Sequence, residues 1–401
     1  MLIILLITSL LIGIILFYFY KIKPNSKINI KELYAEGLDM LVSGKYKGAY
    51  KNFKEIVEKD SNNIKAYIRL GQVLRQSGNY LKALKVHRSL LTRKNVSNYE
   101  LIEIHKNLSM DYLKISDTDL SINECKSILN IENDNEWALH QLIVLYRENN
   151  DWEKATEYLK AYFQKTGKRD DNKLSLYKIQ QSKIKIENCE FDNAREILNK
   201  TLSIKQDFGA AYYFLAKSYS EESNIEYEKA VSIQNNNSSA LTDSNEYNSH
   251  MEEAKKILSK AIPLWVHFSE IDPEQSWLVL PLLKDALFVL NRYTELEEIL
   301  VKLNKNFPKN IEILASLVDY YSHKGELEKA ISLIDSNEYN DKSLILELIK
   351  IKLQLQKSGD NKLVKELDES IINLSKDKRY QFSSKRSVSD MMWLLDEATH
   401  T

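Results

Sequence analysis

From residue 34 onward, apolar residues return every three or four positions through one segment after another. That spacing predicts helices that each bury one face. The stretch "AYIRLGQVLRQSGNYLKALKVHRSLL" (66 to 91) shows two such segments hinged at Gly78. The pattern also copies itself. Gly37, Gly44, Tyr46 and Ala49 come back 34 residues later as Gly71, Gly78, Tyr80 and Ala83, and Phe53 and His87 keep the same offset. After a four-residue slip the register resumes: Leu108, Tyr112 and Cys125 match Leu142, Tyr146 and Leu159, with Trp152 and Ala155 beside the latter. Further units centre on Phe191, Ala194 and Leu198, then on Tyr212, Leu215, Ala216 and Tyr219. Later ones hold Leu283, Leu287, Tyr293 and Pro308, then Leu317, Tyr321, Gly325 and Ala330.

A helix–turn–helix unit of this length resembles the tetratricopeptide repeat. The expected fold is all-α, a solenoid of about eight repeats over residues 34–340, with capping helices over 341–375. The Asn/Ser-rich stretch at about 232–250 reads as a loop-like insertion that delays a second helix to "EEAKKILSKAI" (252 to 262). The hexapeptide Asp-Ser-Asn-Glu-Tyr-Asn occurs at 243–248 and again at 335–340, and the sequence offers no physical reason for it.

The N-terminus breaks the amphipathic pattern. Residues 2–20, "LIILLITSLLIGIILFYFY", carry no charge. At about 1.5 Å per residue this run suffices to cross ~30 Å of hydrocarbon. No basic residue precedes it, no small-residue cleavage site follows, and it ends in aromatics, so the expectation is an uncleaved anchor over 1–22. Tyr18, Tyr20, Lys21 and Lys23 would sit at the membrane interface, followed by a basic linker over 23–33. With Lys27 and Lys31 also on that side, the positive-inside rule places the body in the cytoplasm.

Composition narrows function mainly by exclusion. Only 10 Gly and 5 Pro occur in 401 residues, which disfavours strand-and-turn folds. A net charge of −1 gives no field for nucleic acid, so none is expected as partner. Cys125 and Cys189 form neither a disulfide framework nor a metal knuckle. No phosphate loop, metalloprotease motif or nucleophile elbow appears. An enzyme is therefore not expected, and no cofactor. A compact, buried cluster of titrating side chains would reopen that question. His87 stands where the repeat wants a large apolar side chain and reads as a packed, hydrogen-bonded histidine. Cys125, at the same repeat position, reads as a small buried hydrophobe.

The first helix of each unit should line the concave face. Counting along it gives Lys65, Gln72 and Arg75, then Lys106, Met110 and Lys114, then Trp137, His140 and Arg147, with Tyr213 and Lys217 continuing the line. Arginine can hold a carboxylate through two parallel bonds, and aromatics supply anchor area. The residues leave two readings open: a groove for an acidic or C-terminal protein segment, or a solvated polar groove.

An anchor, a basic linker, and a unit with Leu70-Gly71, Arg75, Gly78, Ala83, His87 and Leu90 together resemble the lipopolysaccharide assembly protein B family of Gram-negative bacteria. Tyr34, Gly37 and Leu41 agree, as does "WALHQLIVLYRENNDWEKA" (137 to 155). The generic repeat demands neither Arg75 nor His87. The resemblance implies a single-pass adaptor of the bacterial inner membrane, facing the cytoplasm, that brings the deacetylase LpxC to the protease FtsH, with links to lipopolysaccharide export components. The family ends in a rubredoxin-like zinc ribbon. Here the tail, 376–401, keeps Tyr380 and Trp393 but has no cysteine and only His400 as a nitrogen ligand. Tetrahedral zinc needs four ligands, so no metal is expected. Ser387 and Asp390 resemble a capping box, which leaves two readings: a short helix over 388–397 that docks on the last repeats or on a partner through Tyr380, Met391, Met392 and Trp393, or a disordered tail. Two other functions remain: a generic envelope-assembly or secretion scaffold on the same plan, and an enzyme hidden in the C-terminal half.

Overall fold

The computed structural model describes residues 11–14, 29–236, 243–336, 344–359 and 361–376, and every regular element among them is helical. The chain divides into two compact units, Met1–Leu145 and Tyr146–Thr401. The first holds α1 (Ile30–Val42), α2 (Tyr46–Lys59), α3 (Ile64–Gln76), α4 (Tyr80–Leu90), α5 (Asn98–Lys114) and α6 (Thr118–Ile131). The division falls within α7 (Glu136–Glu148). The second unit continues with α8 (Trp152–Thr166), α9 (Asp171–Glu187), α10 (Phe191–Ile204), α11 (Gly209–Asn236), α12 (Asp243–Ser259) and α13 (Ala261–Ile271). After a 3-10 turn, Pro273–Leu278, come α14 (Leu280–Val289), α15 (Tyr293–Asn306), α16 (Ile311–Lys324), α17 (Leu327–Asp335), α18 (Leu344–Ser358) and α19 (Asn361–Lys376).

Short turns force consecutive helices into antiparallel hairpins. The turns share one device. Gly44, Gly78 and Ser116 in the first unit, and Asn150, Cys189, Asn291 and Gly325 in the second, all lie in the left-handed region with φ between 56° and 87°. The next residue's N–H reaches back to the carbonyl five positions earlier, from Lys45 to Met40, Asn79 to Leu74, Asp117 to Tyr112, Arg292 to Leu287 and Glu326 to Tyr321. This Schellman bond satisfies a helix-end carbonyl and reverses the chain. Glycine marks only three of these seven turns, so the other four carry no glycine signal.

Packing follows the repeat. Within the first unit α1 packs on α2, α3 on α4 and α5 on α6; in the second α9 packs on α10, α11 on α12 and α16 on α17. In addition α3 meets α5, α9 meets α11 and α16 meets α18. First helices of successive hairpins therefore touch, as tetratricopeptide stacking requires. In the first hairpin the Phe53 ring, fully buried, lies on Gly37, where an added Cβ would come within 2.9 Å of it. Burying such a ring contributes roughly 1.5–3 kcal/mol. In the second hairpin the His87 ring takes that place on Gly71, and an added Cβ would stand 2.3 Å from it. In the third, Cys125 is buried beside Ser109, with Sγ and Oγ 3.3 Å apart. Burial pushes the Cys125 thiol up to about 11, against the Ser109 hydrogen bond.

The insertion is not a loop over most of its length. α11 runs on to Asn236 and α12 begins at Asp243, leaving 237–242 outside the described residues. The pair is held by contacts that composition does not show: Ser223 Oγ donates to the Ala254 carbonyl at 2.7 Å, and His250 Nδ1 meets Glu226 at 2.7 Å. The small buried residues Ala230 and Ala254 suit closely packed helices.

No helix among the described residues is long and apolar enough to cross a membrane. Of the expected anchor, residues 11–14 are helical; the remainder of 1–22, with Tyr18, Tyr20, Lys21 and Lys23, lies outside the described residues, as does the linker up to residue 28. The tail residues Tyr380, Met391, Met392 and Trp393 also lie outside them.

Candidate functional site

In the first unit, α3, α5 and the start of α7 carry the residues expected to line a groove. Lys65, Lys114 and His140 are exposed, and Gln72, Lys106 and Trp137 are half-buried. Gln72 accepts from Arg69 Nη1 at 2.7 Å. The Lys106 ammonium stands 5.8 Å from the centre of the Trp137 ring and 2.9 Å from Glu103 Oε1. The first contact is a cation–π pairing that presents a flat aromatic beside a positive charge. The second removes much of the excess charge inferred from counting lysines. Met110 leaves 37 % of its surface in water near this pair in sequence.

Arg75 corrects the expected groove. It is not presented to a partner: only 6 % of it is exposed, and its guanidinium is fully engaged within the fold. Nη1 donates to Asp111 Oδ1 at 2.7 Å and to the Asn107 carbonyl at 3.2 Å, while Nη2 donates to Asn107 Oδ1 at 3.0 Å. The other carboxylate oxygen of Asp111 meets His87 Nδ1, and His87 Nε2 faces the Ile68 carbonyl at 3.1 Å. Asp111 and His87 are wholly buried. Arg75 on α3, His87 on α4 and Asp111 on α5 thus form one sealed ionic cluster joining two hairpins. His87 is the packed, hydrogen-bonded histidine that its repeat position implied.

In the second unit the expected line breaks up again. Tyr213 is no exposed anchor: its ring packs against Phe214 and Phe268, with centroids at 5.2 and 5.9 Å. Burial raises its hydroxyl pKa. Arg147 and Lys217 are half-buried.

This unit also holds a cavity of about 590 Å³ that the repeat pattern does not imply. It is lined by α14, α16, α18 and α19, with Trp277 of the 3-10 turn and Leu296 and Leu300 of α15. Leu280, Pro281, Leu282, Ile349 and Ile371 supply apolar wall, and a charged cluster supplies the rest. Asp319 receives Lys284 Nζ at 2.7 Å, Lys352 Nζ at 3.0 Å and His323 Nε2 at 3.4 Å. Lys352, almost wholly buried, also reaches Asp368 at 2.6 Å. Burial pulls the Asp319 carboxyl upward, but the His323 hydrogen bond and the charges of Lys284 and Lys352 outweigh it, holding the group well below the usual range. Lys352 moves the other way: burial opposes its charge, and Asp319 and Asp368 overcome that and raise its pKa.

This is the kind of cluster that reopens the question of catalysis, and its chemistry answers poorly. A carboxylate held that far down is a weak base, and an ammonium held up is a weak nucleophile. The one hydroxyl of a serine on the wall, Ser316, donates to the Glu312 carbonyl. Among the described residues no group of three or more His, Cys, Asp or Glu is placed to hold a metal ion.

No family model matches the chain. Lipopolysaccharide assembly protein B of Escherichia coli (strain K12) is 22% identical over 124 residues, 31% of this chain and 32% of the relative. The protein of the same name from Haemophilus influenzae (strain Rd) is 23% identical over 222 residues, 51% of this chain and 52% of the relative. The chain therefore spans about a third to a half of the length of these relatives. Among solved structures, a tetratricopeptide repeat protein from Parabacteroides merdae aligns at a TM-score of 0.28 and 15% identity, over 81% of this chain and 98% of that one. The C-terminal part of a repeat protein from Cytophaga hutchinsonii aligns at 0.33 and 13%, over 71% and 99%. The helical hairpins, their shared turns and the partial sequence likeness together describe a tetratricopeptide-repeat protein similar to lipopolysaccharide assembly protein B.

Proposed function

We propose that the chain is a membrane-anchored, cytoplasm-facing adaptor of the lipopolysaccharide assembly protein B type, bringing an LpxC-like deacetylase to an FtsH-like protease. The observation that carries this reading is the coincidence of repeat stacking with partial similarity to that protein in two organisms. Stacked hairpins offer extended faces for protein segments, and neither ionic cluster offers reactive chemistry. The Lys106–Trp137 pair, flanked by Lys65, Gln72, Lys114 and His140, is the proposed contact surface of the first unit. Membrane attachment rests on the uncharged run 2–20 and the lysines after it.

An identity of 22–23% over about a third to a half of those relatives leaves room for a second reading, a scaffold on the same plan with different envelope-assembly partners. Affinity purification of the full chain from solubilised membranes separates the two. Recovery of LpxC and FtsH together supports the first. Recovery of neither, with other envelope proteins present, supports the second.

A further inference from the structure

The adaptor reading assigns nothing to the cavity of the second unit, and a ligand there is independent of that reading. Asp285, Asp319 and Asp368 line this cavity together with Lys284, Lys352 and His323. Both lysines are already held: Lys284 by Asp319, and Lys352 by Asp319 and Asp368. Asp285 is exposed and has no ion pair among the described residues. Asp285 is therefore a carboxylate on the cavity wall that an incoming cation reaches without breaking an ion pair. Beside it, Leu282 on α14 and Ile372 on α19 leave 40 % and 47 % of their surfaces in water. Apolar area kept wet in a concavity is area a ligand gains by covering, at about 25 cal/mol per Å².

We propose that this cavity binds a partner protein's peptide segment in which lysine or arginine alternates with large apolar side chains. An incoming cation would meet Asp285 without displacing Lys352, and the apolar side chains would cover Leu282 and Ile372. The size fits a few side chains, since recognition pockets commonly run about 300–1,000 Å³. The walls are fixed beforehand. Lys352 ties α18 to Asp319 of α16 and Asp368 of α19, so little ordering remains for the binding step. An acidic segment would face the unpaired Asp285 and is disfavoured.

The test is fluorescence anisotropy with the full chain in detergent and two labelled synthetic peptides, one of alternating Lys and Leu pairs and one with Glu for every Lys. The cationic peptide should bind at least about tenfold more tightly than its charge-reversed twin. Asp285→Lys should weaken it by about tenfold, and Leu282→Ser by a few-fold, with unchanged circular dichroism. Equal affinity for the two peptides, or no effect of Asp285→Lys, overturns the proposal. Binding that appears only after removal of residues 377–401 assigns the cavity to this chain's own C-terminus and overturns it too. So does a concentration-dependent dimer, seen by sedimentation, that Asp285→Lys dissociates. LpxC and FtsH recovery is measured separately, so either idea can fail alone.

Discussion

Asp111 in the first unit is gripped by Arg75 and His87, and Asp319 in the second by Lys284, Lys352 and His323, yet the two carboxylates end in opposite situations. Asp111, Arg75 and His87 close over one another and exclude water. Asp319, Lys284, Lys352 and His323 make similar ion pairs on the wall of a cavity of about 590 Å³, with His323 and Lys284 still reached by solvent. The difference lies in what covers the charges. Asn107, Gly71 and the next hairpin leave no space over the first cluster. The short α14 and its 3-10 turn leave a void over the second. Ion pairs of similar geometry therefore serve to register hairpins in one place and to shape a binding surface in the other.

The largest effect should come from breaking the sealed cluster. Asp111→Ala leaves Arg75 and His87 buried without their acceptor and should cost about 3–5 kcal/mol in urea unfolding of the full chain. A triple change to Arg75→Met, His87→Phe and Asp111→Leu should recover most of that, because Phe53 already shows a phenyl ring seated on the equivalent glycine. No recovery would mean that the charges contribute more than registration. Gly71→Ala comes next. Alanine is the better helix former by about 1 kcal/mol, but its Cβ would stand 2.3 Å from the His87 ring, so a net loss of about 1–3 kcal/mol is expected in thermal melting.

The open cluster should respond less. Asp319→Asn leaves Lys352 its second partner, Asp368, and should cost about 1–2 kcal/mol. The sign of its pH dependence follows from the lowered folded-state pKa. The contribution of Asp319 is complete above the ordinary aspartate value of about 3.9 and is lost as pH falls below it. Lys352, with its pKa raised, contributes fully below about 10.4 and loses this as pH rises further. Urea titrations should thus give a difference between the native chain and Asp319→Asn that shrinks below about pH 4. The smallest stability change belongs to Lys106→Glu, within about 0.5 kcal/mol, since its ion pair with Glu103 is partly exposed to solvent.

The repeat is legible in the sequence because Gly37, Gly44, Gly71 and Gly78 answer a geometric demand that few other residues meet. The turns at Ser116, Asn150, Cys189 and Asn291 are not, because polar residues can enter the left-handed region without announcing it. The end of α11 is hidden for a related reason: Asn and Ser usually mark loops, and the bonds from Ser223 and His250 that extend the helices come from a partner distant in sequence. The site is legible only in part. Lys106 and Trp137 do meet. Arg75 lies on the helix expected to line the groove, but its side chain turns into the hairpin interface, a difference that periodicity does not resolve. Asp111 gives no signal because one acidic residue on a helix usually faces water. A carboxylate inside "IEILASLVDYYSHK" (311 to 324), where apolar residues flank Asp319, is the one available hint of the cavity.

The proposed recognition of partners uses the open Lys106–Trp137 face and not the arginine sealed in the hairpin interface. It is tested by recovery of LpxC and FtsH from solubilised membranes with three matched chains: the native one, Lys106→Glu with Trp137→Ala, and the apolar triple replacement of Arg75, His87 and Asp111. The native and triple-replaced chains should both recover the two proteins, and the surface variant should lose about tenfold or more. Full recovery by the surface variant, with loss in a folded triple variant, would contradict recognition at that face.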